Sequence, residues 1–267
     1  MKRYHILLVG IIGMTIAPVL SVLTPAAATE EGRLADFDFT SLIDSSVWDN
    51  AILFMPIVFT LIGGYLIKRE YTDNTLKSVF TVPVSFRKLL TGKLLTTALL
   101  AILSGVYSFA VTVLTGLIAE LKGLTFSTVL SGVLQMILLS LCIYLVVVPI
   151  LAICSRKQGL FLGGAIAAFV LGYCSMLFQS GILRNLYPFL AAFAVIRFDP
   201  TAFMDTRESG SCLLGALSLG TVFILSVVLV LISKPADQAG AAKESKNSAF
   251  SLRPAQRAKR NANKHRS

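Results

Sequence analysis

The chain has 267 residues, of which 55% are hydrophobic and only 14% are charged. Soluble domains carry roughly a quarter charged residues, so the composition excludes an ordinary soluble fold and indicates that a bilayer is the solvent. The formal net charge is +10, but the basic residues cluster between and after apolar runs. We therefore interpret them as determinants of membrane topology, and no nucleic-acid partner is predicted.

Six apolar stretches approach the length of about 20 residues that a helix needs to cross the hydrocarbon core. The predicted spans are residues 6–24, 51–67, 94–119, 130–153, 160–178 and 212–232, none of which contains an acidic or basic residue. Residues 1–233 are accordingly predicted to form one all-α domain, a polytopic membrane protein with six transmembrane helices. The second span is short and is expected to extend to Trp48, and Pro18, Pro56 and Pro149 are expected to kink their helices.

The distribution of Lys and Arg predicts the orientation, because cytoplasmic segments retain these residues. Nineteen of the 24 basic residues fall in one alternating set of segments, made up of residues 1–5, 68–93, 154–159 and 234–267. The other set has the remaining five, and its first loop is acidic through Glu30, Glu31, Asp36, Asp38, Asp44 and Asp49. Both termini are therefore predicted to be cytoplasmic.

The N-terminus has a second interpretation as a cleavable signal peptide. Lys2 and Arg3 precede an apolar stretch that ends near the small residues Ala26, Ala27 and Ala28, in the order that such peptides show. The apolar stretch is longer than the usual core of about 7 to 15 residues. We therefore expect a retained first helix, with five spans as the alternative.

Residues 68–93 form the longest cytoplasmic segment between two predicted spans, and they mix apolar with charged side chains. Thr72, Asp73 or Asn74 can cap a helix that begins near Thr75. Leu76, Val79, Phe80 and Val82 then supply a small apolar face before Pro83 ends the helix. Ser85 is expected to cap the helix that continues into the third span. Such a short amphipathic helix fits a socket on another protein; an interfacial helix that only anchors the loop is the alternative.

The same segment carries a family signature. Glu70, Thr75, Leu76, Lys77, Pro83, Ser85, Arg87, Lys88 and Lys93 follow the second span and open the third. This pattern resembles the signature of permeases of ABC type-2 transporters. Among them, the chain is most similar to the branch of lantibiotic-immunity and bacitracin-resistance permeases, in its size and in its acidic first loop. The resemblance implies a bacterial cell membrane, a separate ABC ATPase subunit, and a second permease that is either identical or similar.

The resemblance also implies roles for particular residues. Glu70, Thr75, Leu76, Lys77, Phe80 and Pro83 would belong to a coupling helix that docks into the ATPase. Residues 183–196 are apolar but too short to cross, and we expect a re-entrant or interfacial segment there, with an ordinary loop as the alternative. In the family an apolar hairpin occupies this place near the outer face, and it would include Tyr187, Pro188 and Phe189.

Beyond the last span the composition changes to Ala, Ser, Asn, Gln, Lys and Arg. Residues 234–267 have little to bury, so they are predicted to form a disordered basic tail on the cytoplasmic side. Its expected partner is membrane lipid with anionic headgroups, which attract such a tail.

The sequence shows no motif of an ATPase or a hydrolase. Gly92 and Lys93 could end a phosphate-binding loop, but such a loop needs glycine where the chain has Arg87 and Ser or Thr where it has Leu94. His5 and His265 lie outside the predicted spans, and the four cysteines have no metal-ligand spacing. The expectation is no catalytic residue, metal or cofactor. A transport subunit for an apolar or amphipathic substrate is predicted, with a scaffold or sensor, and then an intramembrane hydrolase, as alternatives.

Overall fold

The structure is a computed structural model that describes residues 5–27, 37–72, 86–155, 160–178, 181–204 and 210–233. Across these residues every regular element is a helix and there is no strand, which confirms the all-α prediction for this part. The helices are α1 (His5–Ala27), α2 (Phe39–Asp49), α3 (Met55–Thr72), α4 (Phe86–Ile118), α5 (Phe126–Cys154), α6 (Phe161–Cys174), α7 (Ile182–Leu186), α8 (Pro188–Val195) and α9 (Cys212–Ile232).

Within the described residues, four helical stretches are long and apolar enough to cross a membrane: Phe39–Ile67, Arg87–Ile118, Phe126–Cys154 and Cys212–Ile232. We call Phe39–Ile67 the second candidate span, because it contains the second span predicted from the sequence. Two shorter apolar helices, Gly10–Thr24 and Phe161–Leu177, lie where the first and fifth spans are predicted. α6 has only 14 residues before a 3-10 turn begins, so it extends about 21 Å, less than the thickness of a hydrocarbon core. The chain is thus an integral membrane protein with at least these four candidate spans, and a six-span topology stays a prediction.

The second span is longer than its apolar stretch suggests, because a polar residue starts the helix well before Ala51. Asp38 caps α2: its carboxylate accepts hydrogen bonds from the Ser41 backbone N–H at 2.8 Å and from the Ser41 hydroxyl at 3.0 Å. The prediction that Asp44 and Asp49 lie in a loop is therefore wrong, since both are helical. Asp49 accepts a hydrogen bond from Ser21 of α1 at 3.2 Å, which links the first two helices.

A π-helical turn, Asn50–Phe54, joins α2 to α3 and keeps the run continuous. The cause lies in Pro56, which has no N–H to give to the carbonyl of Ile52 and whose ring would clash with that carbonyl in a regular α-helix. Widening the turn, as the Met55 N–H does by bonding to the carbonyl of Asn50, avoids that clash. The sequence predicts an irregularity at Pro56, and the structure shows it as a π turn.

The run from α2 to α3 and helix α5 form the centre of the bundle. In their apolar windows, 67% of the second candidate span and 61% of α5 are buried within the protein, against 22% of α9. α4, α6 and α9 pack against α5, and α1 packs against the second span and α4. The outer helices therefore present large apolar side chains outward, as a lipid environment allows.

The π turn also creates a close contact with α6. A Cβ added at Gly172 would lie 2.2 Å from the carbonyl oxygen of Ile52 and 3.2 Å from its carbonyl carbon. Both are backbone atoms, which cannot rotate away. Only glycine therefore lets α6 approach the second span at the turn that Pro56 imposes.

We expect Gly172→Ala to destabilise the protein by about 1–3 kcal/mol, because the new methyl group overlaps backbone atoms and must push α6 away. Gly163→Ala in the same helix is the matched control, since a Cβ there meets nothing within 4 Å. Thermal unfolding of the two variants in detergent checks this. Equal melting temperatures would show that α6 does not approach the π turn so closely.

Candidate functional site

Two clusters stand at opposite ends of the second candidate span. One surrounds Lys93 of α4, which contacts α3 at Leu66 and Ile67. The other surrounds Trp48, which lies in α2. At a rise of 1.5 Å per residue, Trp48 and Leu66 are about 27 Å apart, close to the thickness of a hydrocarbon core. We call these regions the Lys93 end and the aromatic cap.

At the Lys93 end, one ammonium group holds two helices together. Lys93 Nζ donates a hydrogen bond to the carbonyl of Leu66 and contacts the carbonyl of Ile67 at 3.5 Å. These carbonyls lie six and five residues before the end of α3 at Thr72. Hydrogen bonds to a charged donor are stronger than neutral ones. Lys93 thus links the end of α3 to the beginning of α4.

Most of the predicted coupling residues lie outside the described residues. Glu70 belongs to the final turn of α3, and α4 begins at Phe86, directly after the predicted cap Ser85. Thr75, Leu76, Lys77, Phe80 and Pro83 fall within residues 73–85, which the structure does not describe. What the structure defines is therefore the base of this segment: the end of α3, the beginning of α4, and the lysine that joins them.

The aromatic cap is centred on Trp48, the only tryptophan of the chain. Its ring lies between those of Phe193 and Phe203, with centroid distances of 5.3 Å and 5.2 Å and interplanar angles of 13° and 11°. Phe198 completes the cluster, 5.1 Å from Phe193 and 6.1 Å from Phe203. Stacked aromatic pairs contribute about 0.5–1.5 kcal/mol each beyond the area that they bury. The cap therefore fastens α8 and the segment after it onto α2.

The residues predicted for the outer hairpin form two short helices. Tyr187 is extended between α7 and α8, as the residue before a proline prefers, and Pro188 begins α8. Phe189 is 2% exposed, and most of α8 is buried. Tyr187 stacks on Phe178 at 4.7 Å, and its hydroxyl donates to the carbonyl of Leu171 in α6. The structure thus shows a helical hairpin packed on the bundle, not an irregular loop.

Burial raises the pKa of Tyr187 to about 12. The phenol therefore remains protonated over the whole physiological range of pH. It can donate to the Leu171 carbonyl under all of these conditions, so the contact between the hairpin and α6 does not depend on pH.

The hairpin is also attached to the beginning of α9. The Ser218 hydroxyl donates to the carbonyl of Leu186 at 2.7 Å, and the Ser211 N–H donates to the Asn185 side chain at 2.8 Å. Gly215 allows close packing, because a Cβ there would lie 2.9 Å from the carbonyl oxygen of Ala191. Three separate contacts therefore fix the hairpin to the first half of the last helix.

Sequence reasoning missed two features of this region. The first is the burial of Arg184. The sequence predicts it to be one of the five basic residues in loops outside the membrane, but its side chain is 4% exposed in α7. The second feature is a polar cluster next to the π turn, where the Asn50 amide donates to the Ser46 carbonyl at 2.8 Å and to the Ser108 hydroxyl at 3.0 Å. The side-chain oxygen of Asn50 and the Ser46 hydroxyl have no hydrogen-bond partner within the described residues. Buried polar atoms without partners are costly, and π turns occur often at functional sites.

Within the described residues, no group of three His, Cys, Asp or Glu side chains is placed to hold a metal ion. The four cysteines are free thiols, and only Cys212 is exposed. The geometry of this part of the chain thus consists of packed helices with a basic link at one end and an aromatic cap at the other.

A family model described as "ABC-2 family transporter protein" matches residues 1–175, which include α1 to α6. The bacitracin transport permease protein BCRB of Bacillus licheniformis is 28% identical over 108 residues, which cover 40% of this chain and 51% of that protein. The match therefore spans about half of the relative's length. No solved structure gives a significant match.

We expect Lys93→Met to loosen the end of α3, because the variant keeps the length of the side chain but loses the ammonium group. A hydrogen bond to a charged group contributes about 1.5–3 kcal/mol, so backbone amides near Thr72 should exchange hydrogen at least roughly tenfold faster. Hydrogen exchange followed by mass spectrometry measures this. Lys88→Met, at an exposed position in the first turn of α4, should leave the rate unchanged, and equal rates in both variants would contradict the link.

Proposed function

The chain belongs to the ABC-2 family of transporter proteins, and on that premise we propose that it is the membrane-spanning permease subunit of a bacterial ABC transporter. The energy comes from ATP hydrolysis in a separate ATPase subunit. The permease pairs with a second copy of itself or with a similar permease to complete the transport path. This chain itself hydrolyses no ATP.

The proposal rests on the structure on either side of the segment 73–85, where the end of α3 and the beginning of α4 are joined. Lys93 joins the end of α3 to the beginning of α4, and both helices belong to candidate spans. A force applied to the segment between them therefore acts on two membrane helices at once. The sequence of this segment supports a coupling helix, since its apolar face with Leu76 and Phe80 begins after a cap and ends at Pro83.

We further propose six spans, with both termini in the cytoplasm. α1 and α6 are the two additional spans; they are apolar, and they lie at the first and fifth predicted positions. The bias of Lys and Arg then places the Lys93 end at the cytoplasmic side and the aromatic cap at the outer side. The coupling segment and the basic tail face the ATPase and the inner lipid surface in this arrangement.

The proposed substrate is an amphipathic or apolar molecule such as a peptide antibiotic, exported from the membrane. Two observations support this class. Apart from Asp44 and Asp49 in the first part of Phe39–Ile67, and the basic residues at the beginning of α4, the candidate spans contain no charged side chain, which disfavours a charged cargo at membrane depth. The relative from Bacillus licheniformis is named a bacitracin transport permease.

The proposed topology can be tested by cysteine labelling in intact cells, with Cys212 first replaced by Ser because it is exposed. Cysteines at Asp36 and Thr206 should react with an impermeant maleimide. Cysteines at Asn74 and Ala255 should react only after permeabilisation. Reaction at Asn74 in intact cells would reject the six-span arrangement, and loss of residues 1–28 from the mature protein would show a cleaved signal peptide with five spans.

The coupling function can be tested at Phe80. If Phe80 fills a socket on the ATPase, Phe80→Asp would bury an unpaired charge there, which costs at least several kcal/mol and should abolish docking. The permease would be co-expressed with a tagged ABC ATPase subunit, and the bound fraction compared at equal permease levels. We expect the variant to lose at least about nine tenths of the co-purified ATPase.

The matched control is Leu186→Asp, which introduces the same charge at a position 61% exposed on α7, at the far end of the bundle. It should retain the ATPase as wild type does. Phe189 would be a poor control, because its ring is buried and a charge there would damage the fold. Equal co-purification of Phe80→Asp and wild type would reject the coupling helix and favour a scaffold or an interfacial anchor.

A further inference from the structure

A groove of about 400 Å³ lies between α4, α5 and α9. It is formed because α9 packs closely on the hairpin and on α5 but makes few contacts with α4. Residues that line it are Leu95 and Ala98 of α4, Tyr144 and Val148 of α5, and Phe223 and Val227 of α9. The groove is therefore apolar on all three of its walls.

The hydroxyl groups along the groove are already used within the protein. The Tyr144 hydroxyl donates to the carbonyl of Leu94 at 2.6 Å, the Ser226 hydroxyl to Val222 at 2.7 Å, and the Thr91 hydroxyl to Arg87 at 2.9 Å. None of these groups needs a polar partner from an occupant. A hydrocarbon chain, which offers no hydrogen bonds, matches such a lining.

The dimensions of the groove point to the same occupant. From Thr91 to Ala98 the wall extends about 10 Å along α4, roughly a third of a hydrocarbon core of about 30 Å. The space therefore accommodates part of an acyl chain.

Two positively charged side chains of α4 lie at the mouth of the groove. Arg87 lies one helical turn before Thr91 on the same face of α4, and Lys88 lies three residues before it. Both side chains are exposed. The three helices that form the walls contain no Asp or Glu. An occupant with its chain in the groove would thus place its headgroup beside two cations and no carboxylate of these helices.

We propose that this groove binds an anionic phospholipid, with an acyl chain between α4 and α9 and the phosphate beside Arg87 and Lys88. Arg87 selects the headgroup through hydrogen bonds to phosphate oxygens, and Lys88 adds a second positive charge. Arg87 and Lys88 follow residues 73–85, which carry the proposed coupling helix, but both belong to α4, and lipid binding there needs no ATPase. If the experiment below showed no such lipid site, the proposed transport function would not be affected.

The test uses the full chain in vesicles and a tryptophan placed in the groove by Phe223→Trp. Brominated lipids quench tryptophan fluorescence on contact, and the native Trp48 gives a constant background because it is 6% exposed within the aromatic cap. Brominated phosphatidylglycerol and brominated phosphatidylcholine are compared, each at the same fraction in unlabelled phosphatidylcholine. We expect phosphatidylglycerol to be preferred at least roughly fivefold, the effect of about one cation at a membrane surface.

Two variants in the Phe223→Trp background identify the parts of the site. Arg87→Gln combined with Lys88→Gln should remove the preference, so that both lipids quench equally. Ala98→Phe should fill the groove and reduce quenching by both lipids; Ala110→Phe, at an exposed alanine of the same helix, should not. Size-exclusion profiles that match wild type ensure that the variants are folded.

The control for a general effect of the basic tail is Leu162→Trp in α6. This position is 67% exposed and lies at the beginning of α6, which is near the Lys93 end because Phe161 packs on Gly64 of α3. It does not line the groove. We expect no more than a twofold lipid preference there. An equal preference at positions 162 and 223, or a preference that survives the loss of Arg87 and Lys88, would overturn the proposal. Equal quenching by both lipids at position 223 would show a site for zwitterionic and anionic lipids alike and would also overturn it.

Discussion

The missing N–H of Pro56 is the constraint on which the centre of this bundle depends. In a membrane a backbone carbonyl cannot be satisfied by water, so a proline in a spanning helix requires a local solution. Here the solution is the π turn Asn50–Phe54, which keeps α2 and α3 in one continuous run. The turn also directs the Ile52 carbonyl towards Gly172, and it begins at Asn50, whose amide reaches Ser108 of α4. One missing donor thereby sets how three helices pack.

The continuous run connects the two ends of the molecule physically. At one end Trp48 stacks on Phe193 and Phe203. At the other end Lys93 donates a hydrogen bond to the carbonyl of Leu66 in α3. A rotation or shift of α3 would reach the aromatic cap through a single helical run whose only irregularity is the π turn. The partnerless polar atoms of Asn50 and Ser46 lie at that irregularity. A second arrangement of the turn that satisfies them would lower the cost of such a movement.

Much of the fold is predictable because long apolar runs in a membrane protein have few alternatives to helix. The predicted last span, 212–232, agrees with α9 at both ends. The beginning of the second span was misplaced because Asp44, Ser45 and Asp49 make that helix resemble a polar loop. The available signal was Asp38 followed three residues later by Ser41, a capping pattern that hydropathy ignores. The coupling residues remain predictions from the family signature, and the burial of Arg184 and Phe189 depends on long-range packing that the sequence pattern does not reveal.

The aromatic cap imposes an order on the assembly of the protein during synthesis. Trp48 lies in the second candidate span, but both rings that enclose it come from Phe193 and Phe203, about 150 residues later in the chain. The early helices must therefore be held by the translocation machinery or by their own weaker contacts while most of the polypeptide is still being made. Until Phe203 has emerged, Trp48 has at most one of its two stacking partners. A fragment that ends before α8 would therefore leave exposed an indole that the complete chain buries.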